Sequence, residues 1–273
     1  MSPDTLLAHL DDATPWPDAA RPTHASLEAA YADALAVRAR RIARGEQPRG
    51  FKIGFTNRTL WDRYGVHAPI WGTVWDTTLQ PLDDAAPLDL RGLCEPRLEP
   101  EVVFGLSATP PRHAGLAQLF DCIDWVAPGF EVVQSHAPGW RFGAAESVAD
   151  GGLHGRLRVG PRQRADTLAP DGPSLDARLA ACRVRLLRNG EAVDQGCGAQ
   201  VLDGPLHALQ HFVRELHRCP GAPTLQPGDV VTTGTWTDAW PLLPGQRWRA
   251  EFDAPLGPIG LSTLAAAAPA GQR

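Results

Sequence analysis

The chain has 273 residues, 43% of them hydrophobic and 21% charged, with a formal net charge of -5. That length suits one large domain or two small ones, and the balance excludes a disordered chain. The acidity argues against a nucleic-acid partner, and no stretch reaches the roughly 20 apolar residues that a membrane span needs. Residues 1–12 carry acids where a signal peptide needs cations. Cys94, Cys122, Cys182, Cys197 and Cys219 form no CxxC, and they read as reduced thiols of a cytoplasmic protein.

In chain order, about twenty opening residues rich in Pro, Asp and Ala predict an irregular arm or one short helix. From Ser26 to Arg44, the spacing of Leu27, Tyr31, Leu35 and Ile42 predicts a helix, with Ser26 as its N-cap and Gly45 as its stop. Arg38, Arg40, Arg41 and Arg44 read as the solvated face of that helix. Residues 51–55, 101–106, 130–134 and 156–159 are short apolar or alternating runs that predict strands. Asn189-Gly190 marks a hairpin across 183–195. A helix follows from Pro205, with Leu206, Leu209, Val213 and Leu216 on one face. After a turn at 226–229, strands return at 230–233 and 248–252. This is no regular βαβ alternation, so the expected class is α+β, a mostly β mixed sheet with a few peripheral helices.

Lys52 is the only lysine among 26 basic residues, and it lies in the apolar run Phe51-Lys52-Ile53-Gly54-Phe55. A desolvated lysine can shift its pKa and exchange a proton, which arginine cannot. Composition alone equally allows a chance survivor at a strand end, with its stem packed and its ammonium in water. Glu99 and Glu101, two apart on an extended segment, point to one face. Taken alone, such a pair is better explained by a charged edge strand. Glu131, ahead of Val132-Val133, repeats the surroundings of Glu101, and three carboxylates on neighbouring strands would suit magnesium or manganese. His207 and His211 read as exposed or partner-bonded, not as metal ligands.

These segments resemble a known family. Phe51 to Thr56 is similar to the "GYKIGLT" segment of the 2-hydroxypenta-2,4-dienoate hydratase and 4-oxalocrotonate decarboxylase family, within the fumarylacetoacetate hydrolase-like superfamily. Pro96 to Phe104 resembles its "PRVEPEIAF", and Ala127 to Val133 its "PALEIVDS". Leu202 to Pro205 and Pro227 to Val230 match "LGNPLEAL" and "AGDIILTGSLT" in kind and order. The resemblance implies a barrel-like mixed sheet, with residues 1–50 as an arm and helix and 51–273 as the catalytic domain. It implies Mg2+ or Mn2+ on Glu99, Glu101 and Glu131, chelating the C1 carboxylate and C2 oxygen of a small 2-oxo or 2-hydroxydienoic acid. It also puts Lys52 beside the substrate, Asp76 as its orienter and Asp150 as a group that helps place water. Arg97 is a candidate contact to substrate or a brace for the glutamates, and Trp236 and Thr237 lie in the loop that would close the pocket.

The resemblance departs in two places. The family's "ADNAS" reads Ala149-Asp150-Gly151-Gly152-Leu153-His154 here, leaving His154 either a replacement donor or base or a surface residue. An acid in "GVDQP" becomes His67. The implied reaction is hydration of a dienoate; the alternatives are decarboxylation of a 2-oxo diacid and C–C hydrolysis of an acylpyruvate. Hydrolysis wants a histidine–glutamate pair, for which His24 and Glu28 are the only candidates. A non-enzymatic binding protein or inactive partner subunit stays open as well. Homo-oligomers occur in the family, so one is expected here.

Overall fold

The computed structural model describes residues 1–83 and 86–266. Two helices open the chain, α1 (Pro3–Asp12) and α2 (Leu27–Ala43). The Ser2 and Ser26 side chains accept the backbone N–H of Thr5 and Ala29, satisfying donors that a helix start leaves without partners. The arm thus contains a short helix, and the expected longer one follows it.

Strand β1 (Pro48–Gly54), helix α3 (Trp61–Tyr64), β2 (Ile70–Trp75) and β3 (Leu79–Pro81) come next. The two longest strands, β4 (Arg97–Leu106) and β5 (Ile123–Val133), are separated in the chain by α4 (Leu116–Phe120). Then follow α5 (Ala144–Ala149), β6 (His154–Val159), β7 (Gln163–Arg164), α6 (Ala165–Leu168) and α7 (Gly172–Ala181). The hairpin β8 (Arg183–Arg188) and β9 (Glu191–Cys197) turns at Asn189-Gly190, both with positive φ, the condition for a type I′ turn. Helix α8 (Pro205–Arg218) and strands β10 (Val230–Thr232), β11 (Trp240–Pro241), β12 (Arg247–Phe252) and β13 (Pro258–Ser262) complete the described chain.

The larger sheet has the order β2-β1-β10-β4-β5-β6-β3, with β11 added to β4 and β7 to β5. It is mixed: β1 runs parallel to β10 and β3 to β6, and the other pairs are antiparallel. A second, antiparallel sheet has the order β13-β12-β8-β9. The larger sheet curls into a half-barrel, and β2 closes on the Gly151–Leu153 turn. A Cβ on Gly72 would fall 1.9 Å from the Gly151 carbonyl oxygen, so only glycine allows that approach.

Strand alternation divides the interior in two. Val102, Phe104, Phe130 and Val132 face the main core with Val184, Leu186 and Phe252 of the second sheet and Leu209 and Phe212 of α8. Val103, Ala127, Leu157 and Val230 face the inside of the curl. Glu99 and Glu101 share the parity of Val103, and Glu131 shares that of Ala127. The period of two therefore sends all three carboxylates into the curl.

Candidate metal centre and active-site cavity

Glu99 lies directly opposite Glu131 in the β4–β5 register, and Glu101 is two pairs further along, opposite Gly129. One carboxylate oxygen from each of the three lies within 4.8 Å of the others. Glu101 and Glu131 are fully buried; Glu99 is enclosed too but keeps a face on the cavity described below. The Gly234 N–H donates to Glu101 Oε2 at 2.7 Å. Lys52 Nζ stands 3.2 Å from Glu131 Oε2 as a buried ion pair. Glu101 Oε1 has no hydrogen-bond partner, and Glu131 Oε2 has none beyond its ion pair with Lys52.

Such a cluster is under electrostatic load. At an effective dielectric of about 20, two carboxylates at this spacing repel by roughly 3 to 4 kcal/mol. Burial, then the Glu131 charge, pushes Glu99 up to about 7, against the pull of Lys52. Burial followed by repulsion from Glu131 and Glu99 holds Glu101 well above the usual range. Burial opposes the charge on Glu131 as well, but Lys52 and His154 outweigh it and hold that carboxyl low. Burial likewise works against the Lys52 ammonium, and the three carboxylates overcome it and raise its pKa. With all four groups ionised the cluster carries two net negative charges, which one divalent cation balances. An all-oxygen donor set in which the buried Glu101 Oε1 is orphaned fits a hard cation of the magnesium type.

His154 sits behind Glu131. Its Nδ1 is 2.9 Å from Glu131 Oε1, and its Nε2 is 2.8 Å from Thr78 Oγ1. Burial lowers its pKa, so the ring is neutral near pH 7. An ionised carboxylate only accepts, so Nδ1 carries the hydrogen and Nε2 accepts from the Thr78 hydroxyl.

A cavity of about 630 Å³ opens over this cluster, with Lys52 and Glu99 in its floor. Arg97, Trp236 and Thr237 border it, but Asp76, Asp150 and His154 do not. The Arg97 guanidinium lies 4.2 Å over the Trp140 ring, and its Nη1 donates to the Ala239 carbonyl at 3.4 Å. Trp236 is buried edge-on against Phe252. Rather than forming a free lid, the loop that carries Trp236 and Thr237 is anchored. Asp194 on β9 accepts from the Asp238 N–H at 3.0 Å and from Trp240 Nε1 at 2.9 Å.

Asp76 is exposed and accepts the backbone N–H of Gln47 and Thr77 in the turn after β2. Asp150 is buried on the far side of β2, where it accepts the His136 N–H at 2.8 Å and pairs with His136 Nδ1 at 2.6 Å. Sequence reasoning missed Asp194, His136 and the cavity residues Tyr64 and Phe142. Nothing local marks them: Asp194, Tyr64 and Phe142 reach the cavity from segments far apart in the chain, and His136 bears on Asp150 alone. His24 pairs with Asp33 at 2.9 Å rather than with Glu28. His207 is held by Asp176 at 2.7 Å, the partner-bonded state expected of it.

Residues 82–266 match the fumarylacetoacetate (FAA) hydrolase C-terminal family. The chain belongs to that family. It is 30% identical to a 2-hydroxyhexa-2,4-dienoate hydratase of Comamonas testosteroni, over 82% of this chain and 81% of the relative. It is 28% identical to a 4-oxalocrotonate decarboxylase of a Pseudomonas species, over 82% of both chains. Its fold matches that of the 4-oxalocrotonate decarboxylase from Pseudomonas putida G7, complexed with magnesium and adipate. The TM-score is 0.82, at 24% identity, over 97% of this chain and 99% of the other.

Proposed function

We propose that this chain is a divalent-metal-dependent lyase that adds water to a 2-hydroxy-2,4-dienoate, giving a 4-hydroxy-2-oxo acid. One observation carries the reading. The only lysine of the chain is buried against a three-carboxylate cluster in the floor of a cavity large enough for a small organic acid. The names of relatives such as the Comamonas testosteroni hydratase support it.

Glu99, Glu101 and Glu131 would hold magnesium or manganese, which when bound supplies positive charge that favours the enolate of a 2-oxo acid. The carboxylates keep Lys52 protonated, so it donates to the oxygen at substrate C2 and offsets charge gathering there. A proton added at C5, with loss of the enol proton, turns the dienol into a 2-oxo-3-enoate. Hydroxide from water then adds at C4 and a proton at C3, for a net gain of one water. Arg97, Trp236 and Thr237 border the substrate. His154 orients Glu131 from behind. The five free thiols suit a reducing cytoplasm.

Decarboxylation of a 2-oxo diacid is the second reading, and one observation favours it. Arg63 and Arg97 border the cavity with their guanidinium groups over Tyr64 and Trp140, and the N–H groups that Arg97 does not spend on Ala239, with those of Arg63, would suit a second carboxylate. Hydrolysis has less support, because no histidine borders the cavity among the described residues.

The test offers 2-hydroxypenta-2,4-dienoate and, separately, a six-carbon 2-oxo enedioate with magnesium, following absorbance and carbon dioxide together. Dienoate loss without carbon dioxide supports the hydratase. Carbon dioxide from the diacid beside an inert dienoate transfers the reading to the decarboxylase. Silence with both, metal being bound, would reject both readings.

A further inference from the structure

The cavity has a second feature that the reaction chemistry leaves unused, a continuous wall of aromatic rings. Phe55 stacks on Tyr64 with centroids 4.6 Å apart, and Tyr64 on Phe142 at 6.0 Å. Trp140 tilts against Phe142 at 5.7 Å. All four border the same cavity as Lys52 and Glu99. They come from three separate places: Phe55 just beyond β1, Tyr64 at the end of α3, and Trp140 and Phe142 ahead of α5. None is fully buried, although Arg63 and Arg97 lie over Tyr64 and Trp140, whereas core rings such as Phe104 and Phe130 are sealed.

Aromatic surface left open to water is unfavourable unless something covers it. The space available points the same way. A five-carbon hydroxydienoate has eight non-hydrogen atoms, which fill less than about 240 Å³ even at the roughly 30 Å³ that a water takes in the liquid. The cavity holds about 630 Å³. With the acid head at Lys52 and the carboxylates, more than half of that volume remains, and the four rings border the same cavity. The two stacked pairs meet at interplanar angles of 29° and 23°, a shape suited to a flat group.

We propose that the site takes a 2-hydroxydienoate bearing an apolar, planar substituent of about phenyl size on C5, with Tyr64 and Phe142 as specificity-determining residues. This rests on the lyase reading and extends it to the substrate's tail. Burying an aromatic group of that size is worth at least about tenfold in affinity, and each further buried methylene about fourfold.

The test measures calorimetric affinity, in magnesium, for unreactive 2-oxopentanoate, its 5-phenyl derivative and a 2-oxo diacid, alongside kcat/KM for 2-hydroxypenta-2,4-dienoate and its 5-phenyl derivative. The expected result is at least tenfold tighter binding of the phenyl compound and a matching gain in kcat/KM. In Phe142→Ala and Tyr64→Leu the phenyl advantage should fall below about threefold, while 2-oxopentanoate binding changes less than twofold. Equal binding of the three acids, preference for the diacid, or a phenyl advantage that survives both variants would overturn the proposal and leave the lyase reading standing. If neither dienoate is consumed while metal binds, the lyase reading falls and takes this inference with it.

Discussion

Lys52 Nζ and Glu131 Oε2 lie 3.2 Å apart although their strands are not neighbours: β10 and β4 separate β1 from β5. At about 4.8 Å per strand a flat sheet would hold the two backbones roughly 14 Å apart. The curl, with both side chains pointing inward, closes that distance. The contact is therefore a property of the curvature, and the chemistry at Lys52 depends on it.

Replacing Lys52 tests its role as a positioned donor. Lys52→Arg keeps the charge but puts a larger fork into a buried site, and Lys52→Met removes the donor. Both should lower kcat by about a hundredfold or more, the scale for losing one preorganised donor to a developing oxyanion. Magnesium affinity should change far less. Steady-state rates and calorimetry on the same preparations separate the two effects.

His154 should matter through Glu131. In His154→Ala the Glu131 Oε1 atom loses its donor and the carboxylate loses its orientation. Removing such a supporting partner typically costs 10- to 100-fold in metal affinity. Titration with manganese, followed by electron paramagnetic resonance, reads that loss directly; unchanged affinity would assign His154 to packing alone.

The pH dependence has a definite sign. Glu99 has a pKa of about 7 in the fold against an ordinary 4.5. Its contribution to the metal-free fold is therefore complete below about pH 4.5 and is lost as pH rises through about 7. A cation on the carboxylates relieves that loss. Stabilisation by magnesium, read as the difference in Tm with and without chelator, should be larger near pH 8 than near pH 5.5.

Gly234 has φ +94, and a Cβ there would fall 1.9 Å from Thr56 Oγ1. Gly234→Ala should therefore lower Tm by roughly 5 to 10 °C, from left-handed strain and overlap together. It should also weaken metal binding by displacing the N–H that holds Glu101. Thermal unfolding with and without magnesium checks both.

Local rules made much of the fold readable. Ser26 caps α2 and Asn189-Gly190 turns the hairpin because both act on their own neighbours. The convergence of Glu99 and Glu101 follows from strand parity alone, and Glu131 is legible because its surroundings repeat those of Glu101. What brings Glu131 opposite Glu99 is register, and what brings Lys52 to both is curvature, neither of which a linear pattern encodes. The same holds for Asp150, whose position was expected near the substrate. A buried histidine fourteen residues upstream holds it on the far side of β2 instead. Tyr64 and Phe142 meet only because two loops close over one cavity.

The most direct measurement follows 2-hydroxypenta-2,4-dienoate absorbance after chelator-stripped protein receives magnesium, with wild type and Glu101→Gln side by side. The expected result is no loss before the metal, rapid loss after it in the wild type, and almost none in Glu101→Gln. Turnover that persists in chelator, or that Glu101→Gln retains in full, would contradict a divalent cation on these three glutamates as the basis of the activity.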